Sequence, residues 1–142
     1  MRVLIWHVDY FRSEITEKGR SPLVEPFTDR ATEMHDGLLV LASVEKADED
    51  APEAVAEQAA RELVDLARRV GAKRLVLHSF AHLFAQLARP EVAVRVLDDT
   101  AAALRAAGYE VTRTPFGWFN TLEIRAKGHP LSRVARQISA PP

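Results

Sequence analysis

A chain of 142 residues, 47% hydrophobic and 27% charged with a formal net charge of −1, has the size and composition of one soluble globular domain with a sizeable core. That charge gives no reason to expect strong nucleic-acid binding by whole-chain electrostatics, and no apolar run is long enough to cross a membrane. The absence of cysteine excludes disulfides, and a cytoplasmic location is the simplest expectation.

Residues 2–9, "RVLIWHVD", form an apolar run that predicts a first buried strand. Residues 10–36 are mixed and Pro-containing, with room for one irregular or edge strand. "GLLVLASVEK" predicts a second buried strand ending near Val44. The clearest helix is "ADEDAPEAVAEQAARELVDLARRVGA". Asp50 is a candidate N-cap, Pro52 lies in the first turn, Gly71 stops the helix, and Val55, Ala59, Leu63, Leu66 and Val70 make its apolar stripe. "KRLVLHSF" predicts a strand. A second helix starts around Pro90, with Val94, Leu97, Ala101 and Leu104 on one face and Gly108 as its stop. "YEVTRTPFGWFNTLEIRAKG" reads as two extended runs hinged at Pro115–Gly117 in the manner of a hairpin. The tail "HPLSRVARQISAPP" begins as a short helix and ends in a linker-like Pro-Pro. Strands interleaved with two main helices give an α/β or α+β layered domain.

The chemistry-bearing residues are sparse. His78 and His82 stand four apart in "HSFAHL", and His129 lies further on. Four apart is the spacing of zinc-binding helices, but "RLVLHSF" is β-like, no H-E-x-x-H exists and no cysteine is available, so no metal is expected. His78 reads best as a partly buried histidine at a strand end, satisfied by backbone. His82 falls in a loop between strand and helix, where functional residues gather. G-x-S-x-G, Walker A and G-x-G-x-x-G are all missing, and neither Ser43 nor Ser79 comes with a base–acid pair. In "WFNTLEIRA", Trp118, Asn120, Leu122, Ile124 and Ala126 share the apolar parity. Asn120, the chain's only asparagine, is thus either an amide capping the turn or a hydrogen-bonding group facing a pocket.

Taken together and in order, "MRVLIWHVDY", "SVEKADEDAPE", "HSFAHLFAQLARPEVA", "TPFGWFNTLEI" and "KGHPL" resemble the amino-terminal editing domain of archaeal-type threonyl-tRNA synthetases. The resemblance spans nearly the whole chain, with residues 1–138 as the domain and 139–142 as a linker or tail. It implies a fold like that of D-aminoacyl-tRNA deacylases, a homodimer, and no cofactor. It implies hydrolysis of serine wrongly esterified to threonine tRNA, with that tRNA and the rest of the synthetase as partners. Such a second site is needed because one missing methyl is worth only about 1–3 kcal/mol to a synthetic site.

Carried over by position, the resemblance implies a substrate pocket lined by Val44, Phe80, Ala81, Phe116 and Phe119, flanked by Ser43 and Glu45, with His82 and Asn120 at the reacting group. Asn120 stands where the family has Lys, Arg133 where it has Glu, and Phe119 where it often has Tyr. An asparagine supplies neither charge nor proton. The resemblance therefore points to backbone amides and the 2′-hydroxyl of the terminal adenosine as the working groups. The alternatives are a deacylase of D-aminoacyl esters and an inactive RNA-binding or dimerisation module.

Overall fold

The computed structural model describes residues 1–81, 83 and 86–142. A single long strand organises it. β1 (Arg2–Lys18) pairs antiparallel with β2 (Ala31–Ser43) along nearly its whole length, from Arg2 opposite Ser43 to Glu14 opposite Ala31. Its other edge is shared. The first half pairs with β6 (Arg133–Gln137), and the second half with β5 (Trp118–Ala126). Beyond β2 lie β3 (Arg74–Ser79) and β4 (Glu110–Arg113), both parallel to it, so the order is β4-β3-β2-β1-β5 with β6 also on β1. The parallel connections are helical, as crossovers of this length require: α1 (Pro52–Val70) joins β2 to β3, and α2 (Pro90–Ala106) joins β3 to β4.

The curled, mixed sheet buries both faces. Val3, Ile5, Leu38, Val40, Leu75 and Leu77 meet the helices through Ala59, Leu63, Val96, Leu97 and Leu104, all in one buried cluster. The opposite face packs on itself around Val8, Phe11, Met34, Leu39, Leu41 and Val76, with Leu4, Trp6, Phe80 and Ile124 at its margin. Burial of this many aliphatic side chains is the main stabilising term.

Both helices and the strands at 2–9, 37–44 and 74–79 follow the sequence pattern. Gly71 terminates α1 in the left-handed region at φ 72°. Four expectations are corrected. β1 runs on to Lys18, well past residue 9. Asp50 does not cap α1; Ala51 holds the N-cap position without a side-chain bond, and Pro52 begins the helix. The runs around Pro115–Gly117 are not a hairpin, because β4 pairs with β3 and β5 with β1. The tail forms strand β6 rather than a helix, since Val134 faces Ile5 across a free edge of β1 and tertiary pairing overrides weak propensity.

Candidate functional site

Parallel strands end on the same side of a sheet, and that is where open α/β sheets gather ligands. β2 and β3 run in register from Leu38–Leu75 to Ala42–Ser79, so their ends bring Ser43, Val44 and Glu45 beside Phe80 and Ala81. The Phe80 amide donates to Ala42 O at 2.8 Å. Val44 is buried in the helix-side core. Its carbonyl accepts the Ala88 amide at 3.0 Å, and Lys46 N–H donates to Gln86 O at 2.9 Å. The segment before α2 is thereby laid along 44–46. Glu45 pairs with Arg2 at 3.1 Å. Its amide donates to the buried Asp48 carboxylate at 2.7 Å, within a capping box on the short 3-10 helix Lys46–Asp50. Ser43 Oγ is the only buried side-chain oxygen or nitrogen lacking a hydrogen-bond partner among the described residues. A buried hydroxyl left unpaired carries a cost that a polar ligand group recovers. His82 lies outside the described residues.

Phe116 packs against the same core cluster as Val44. It is held by Glu25, a residue with no sequence signal beyond its Pro-rich loop. The Glu25 carboxylate accepts the Phe116 amide at 2.7 Å, and its main chain exchanges a second bond with Phe116 O at 3.0 Å. The Glu25 carbonyl accepts the Trp118 indole N–H at 2.7 Å. Burial opposes ionisation of Glu25. The bonds from Arg113 and from the Phe116 amide nevertheless keep its carboxyl below the usual range. Arg113 is held in turn by Asp98 at 2.6 Å.

Asn120 and Phe119 are placed elsewhere on the sheet. Asn120 faces Ile15 on β1, whereas Ser43 faces Arg2. The Asn120 amide donates to Trp118 O at 3.1 Å, which is the turn-capping arrangement. Phe119 is 45% exposed, and Arg133 is exposed opposite Trp6 on β6. Neither Asn120 nor Phe119 belongs to the buried clusters that hold Val44 and Phe80.

The histidines have other partners. His78 is buried, and its Nδ1 bonds the Thr114 hydroxyl at 2.8 Å. The satisfying group is thus a side chain and not the backbone. Burial pulls its pKa down to about 4, so it is neutral at pH 7. His129 Nε2 lies 2.8 Å from His7 Nδ1, while its Nδ1 accepts the Leu131 amide at 3.2 Å. His7 is lowered by burial, then by Lys127 and His129, against the pull of Asp36 and Asp9. Among the described residues no three His, Asp or Glu side chains are grouped to hold a metal ion, and no helix is long and apolar enough to cross a membrane. Two cavities of about 280 and 240 Å³ lie away from the strand ends, one along the edge formed by Met34, Arg74 and Thr112, the other between α1 and β6.

Residues 1–138 match the family model described as the archaea-specific editing domain of threonyl-tRNA synthetase. The chain is 42% identical over 139 residues to a threonine–tRNA ligase of Methanopyrus kandleri, covering 98% of this chain and 22% of that protein. It is 40% identical over 141 residues to that of Thermococcus kodakarensis, covering 97% and 22%. The chain thus spans about a fifth of the length of these curated relatives. In fold it is similar to a probable eukaryotic D-amino acid tRNA deacylase (TM-score 0.66, 13% identity, 95% of this chain and 98% of that one). It is also similar to a c-Myc DNA unwinding element binding protein (TM-score 0.59, 12% identity, 96% and 98%).

Proposed function

Because this chain belongs to the archaea-specific editing-domain family of threonyl-tRNA synthetases, we propose that it hydrolyses the ester between serine and the terminal adenosine of threonine tRNA. The observation that carries this reading is the convergence of Ser43, Val44, Phe80 and Ala81 at the paired ends of β2 and β3. Val44, immobilised in the core and tied to Ala88, is a rigid wall against the extra methyl of threonine. The unpartnered Ser43 hydroxyl is suited to a polar group of the substrate. No nucleophile–base pair accompanies these residues among those described, and Asn120 has no proton to transfer. The chemistry therefore falls to oriented main-chain groups and to the 2′-hydroxyl of the substrate, which positions and activates water next to the carbonyl. His82 acts as an orienting group and Phe116 as an apolar contact for the substrate, while Asn120 and Phe119, on β5, bear on the site through the turn that leads from Phe116 to Trp118. Threonine tRNA, the remainder of a synthetase and a second copy of this chain are the partners, in the cytoplasm.

The deacylase-like fold makes D-aminoacyl esters the second substrate class to test. Seryl-, threonyl- and D-aminoacyl-tRNA are each incubated with the protein, and release of the amino acid is followed. Rapid loss of serine with threonine spared is the expected result. Equal hydrolysis of both L-esters refutes the serine reading, preference for the D-ester moves the protein to the second class, and no hydrolysis of any ester makes it an inactive module.

A further inference from the structure

We infer that Asp48, a residue with no assigned role, is a positioning residue for the Val44 end of the site, an inference that rests on the reading of that strand end as the deacylation site. Asp48 belongs to the acidic run "EKADED", which reads as solvated surface. Its carboxylate is instead 4% exposed. One oxygen lies 2.7 Å from the Glu45 amide and 2.6 Å from the α-ammonium of Met1, and the other lies 2.8 Å from the same ammonium. That ammonium is itself fully buried and donates to Ile138 O at 3.0 Å, while Ile138 N–H returns a bond to Met1 O at 2.7 Å. Glu45, 3.7 Å from the ammonium, is engaged by Arg2. The start of β1, the turn after β2 and the segment after β6 thus converge on one carboxylate.

Burying an ion pair costs desolvation that its attraction only partly repays, and an apolar pair would close the same core. What the carboxylate supplies is direction. It fixes the N–H of Glu45, the residue immediately after Val44, while Ala88 fixes the Val44 carbonyl from the other side. The peptide unit that follows the size-selecting wall is therefore clamped at both its carbonyl and its N–H. A wall that shifts by a fraction of a methyl diameter loses the discrimination it exists to provide.

Two substitutions separate positioning from general stability. Asp48→Asn keeps the shape and removes the charge. Asp48→Glu keeps the charge facing Met1 and displaces the oxygens from the Glu45 amide. Leu63→Val, in the α1 core, serves as a destabilised control. Each is measured for Tm, for single-turnover hydrolysis of seryl- and threonyl-tRNA with kcat and KM resolved, and for hydrogen exchange of the Glu45 amide. The expected result for Asp48→Glu is a Tm nearer wild type than that of Asp48→Asn. Its kcat on the seryl ester should fall about ten- to a hundredfold, as small misplacements do. Its seryl-to-threonyl ratio should shrink and its Glu45 amide exchange faster. Leu63→Val should lower Tm and leave the ratio and that amide unchanged. A wild-type ratio and kcat in Asp48→Glu overturn the inference, as does unchanged Glu45 exchange in both Asp48 variants. If wild-type protein hydrolyses neither ester, the functional reading fails instead, and the exchange measurement alone decides whether Asp48 holds the turn.

Discussion

Replacing Asn120 with alanine should slow serine editing only modestly, while replacing the 2′-hydroxyl of the terminal adenosine by hydrogen should nearly stop it. Asn120→Ala removes one neutral hydrogen bond, from Nδ2 to Trp118 O at 3.1 Å. Such a bond is worth about 0.5–1.5 kcal/mol. Felt wholly in the transition state, that is about a two- to tenfold loss of rate. The low end is favoured by the rest of the turn. The Trp118 indole is tied to Glu25 O at 2.7 Å and its ring meets Phe27 edge-on at 5.0 Å, so Trp118 stays in place without the Asn120 amide. A group that moves a proton in the transition state contributes more, about 10²–10⁴-fold. The assay is single-turnover deacylation in four combinations, wild type and Asn120→Ala, each on normal and 2′-deoxy-ended seryl-tRNA. A dead Asn120→Ala acting beside normal hydrolysis of the deoxy substrate would falsify the substrate-assisted mechanism, because the side chain would then carry the chemistry.

Two further outcomes follow from the buried groups. His78 ionises near pH 6.5 when unfolded and at about 4 when folded, so the unfolded chain binds the proton more tightly. The stability His78 preserves is therefore complete above pH 6.5 and is lost as pH falls from 6.5 through 4, by on the order of 3 kcal/mol in full. Urea unfolding at pH 7 and pH 4.5 should show a loss that shrinks in His78→Leu, and an equal loss in both proteins rules this out. Gly117 has φ 95°, and a Cβ there would meet Leu23 O at 2.6 Å. Gly117→Ala should accordingly destabilise the protein by more than the roughly 1–2 kcal/mol of left-handed backbone alone, which a shifted urea midpoint measures.

What the sequence made legible was local. α1 carries its stripe and its Gly71 stop in one window, and the 37–44 and 74–79 strands are short apolar runs. β1 is harder to read beyond residue 9 because its pairing with β5 slips between Val8 and Tyr10. The bulge puts Leu4, Trp6 and Val8 on the same face as Phe11, so the even–odd alternation breaks where the strand continues. Pro115–Gly117 looks like a hairpin turn because nothing local reveals that its two strands belong to opposite sides of the sheet. At the strand ends the resemblance led to Ser43, Val44, Glu45, Phe80 and Ala81, which the fold brings together. Glu25 and Asp48 were invisible for a common reason. Each is a carboxylate made structural by a distant partner, Phe116 in one case and Met1 in the other.

The pairing of Arg2 with Gln137 and of Val8 with Ala126 also dictates how a growing chain must behave. β1 leaves the ribosome before the other strands of this fold, and β2 soon covers one of its edges. The other edge has no partner until more than a hundred further residues have been made. During that interval it is an open template for any extended segment nearby, the situation in which strands mispair. Closing it brings β1 and β6 together late, and contacts of such long separation in sequence slow folding. β6 therefore acts as the latch of the domain.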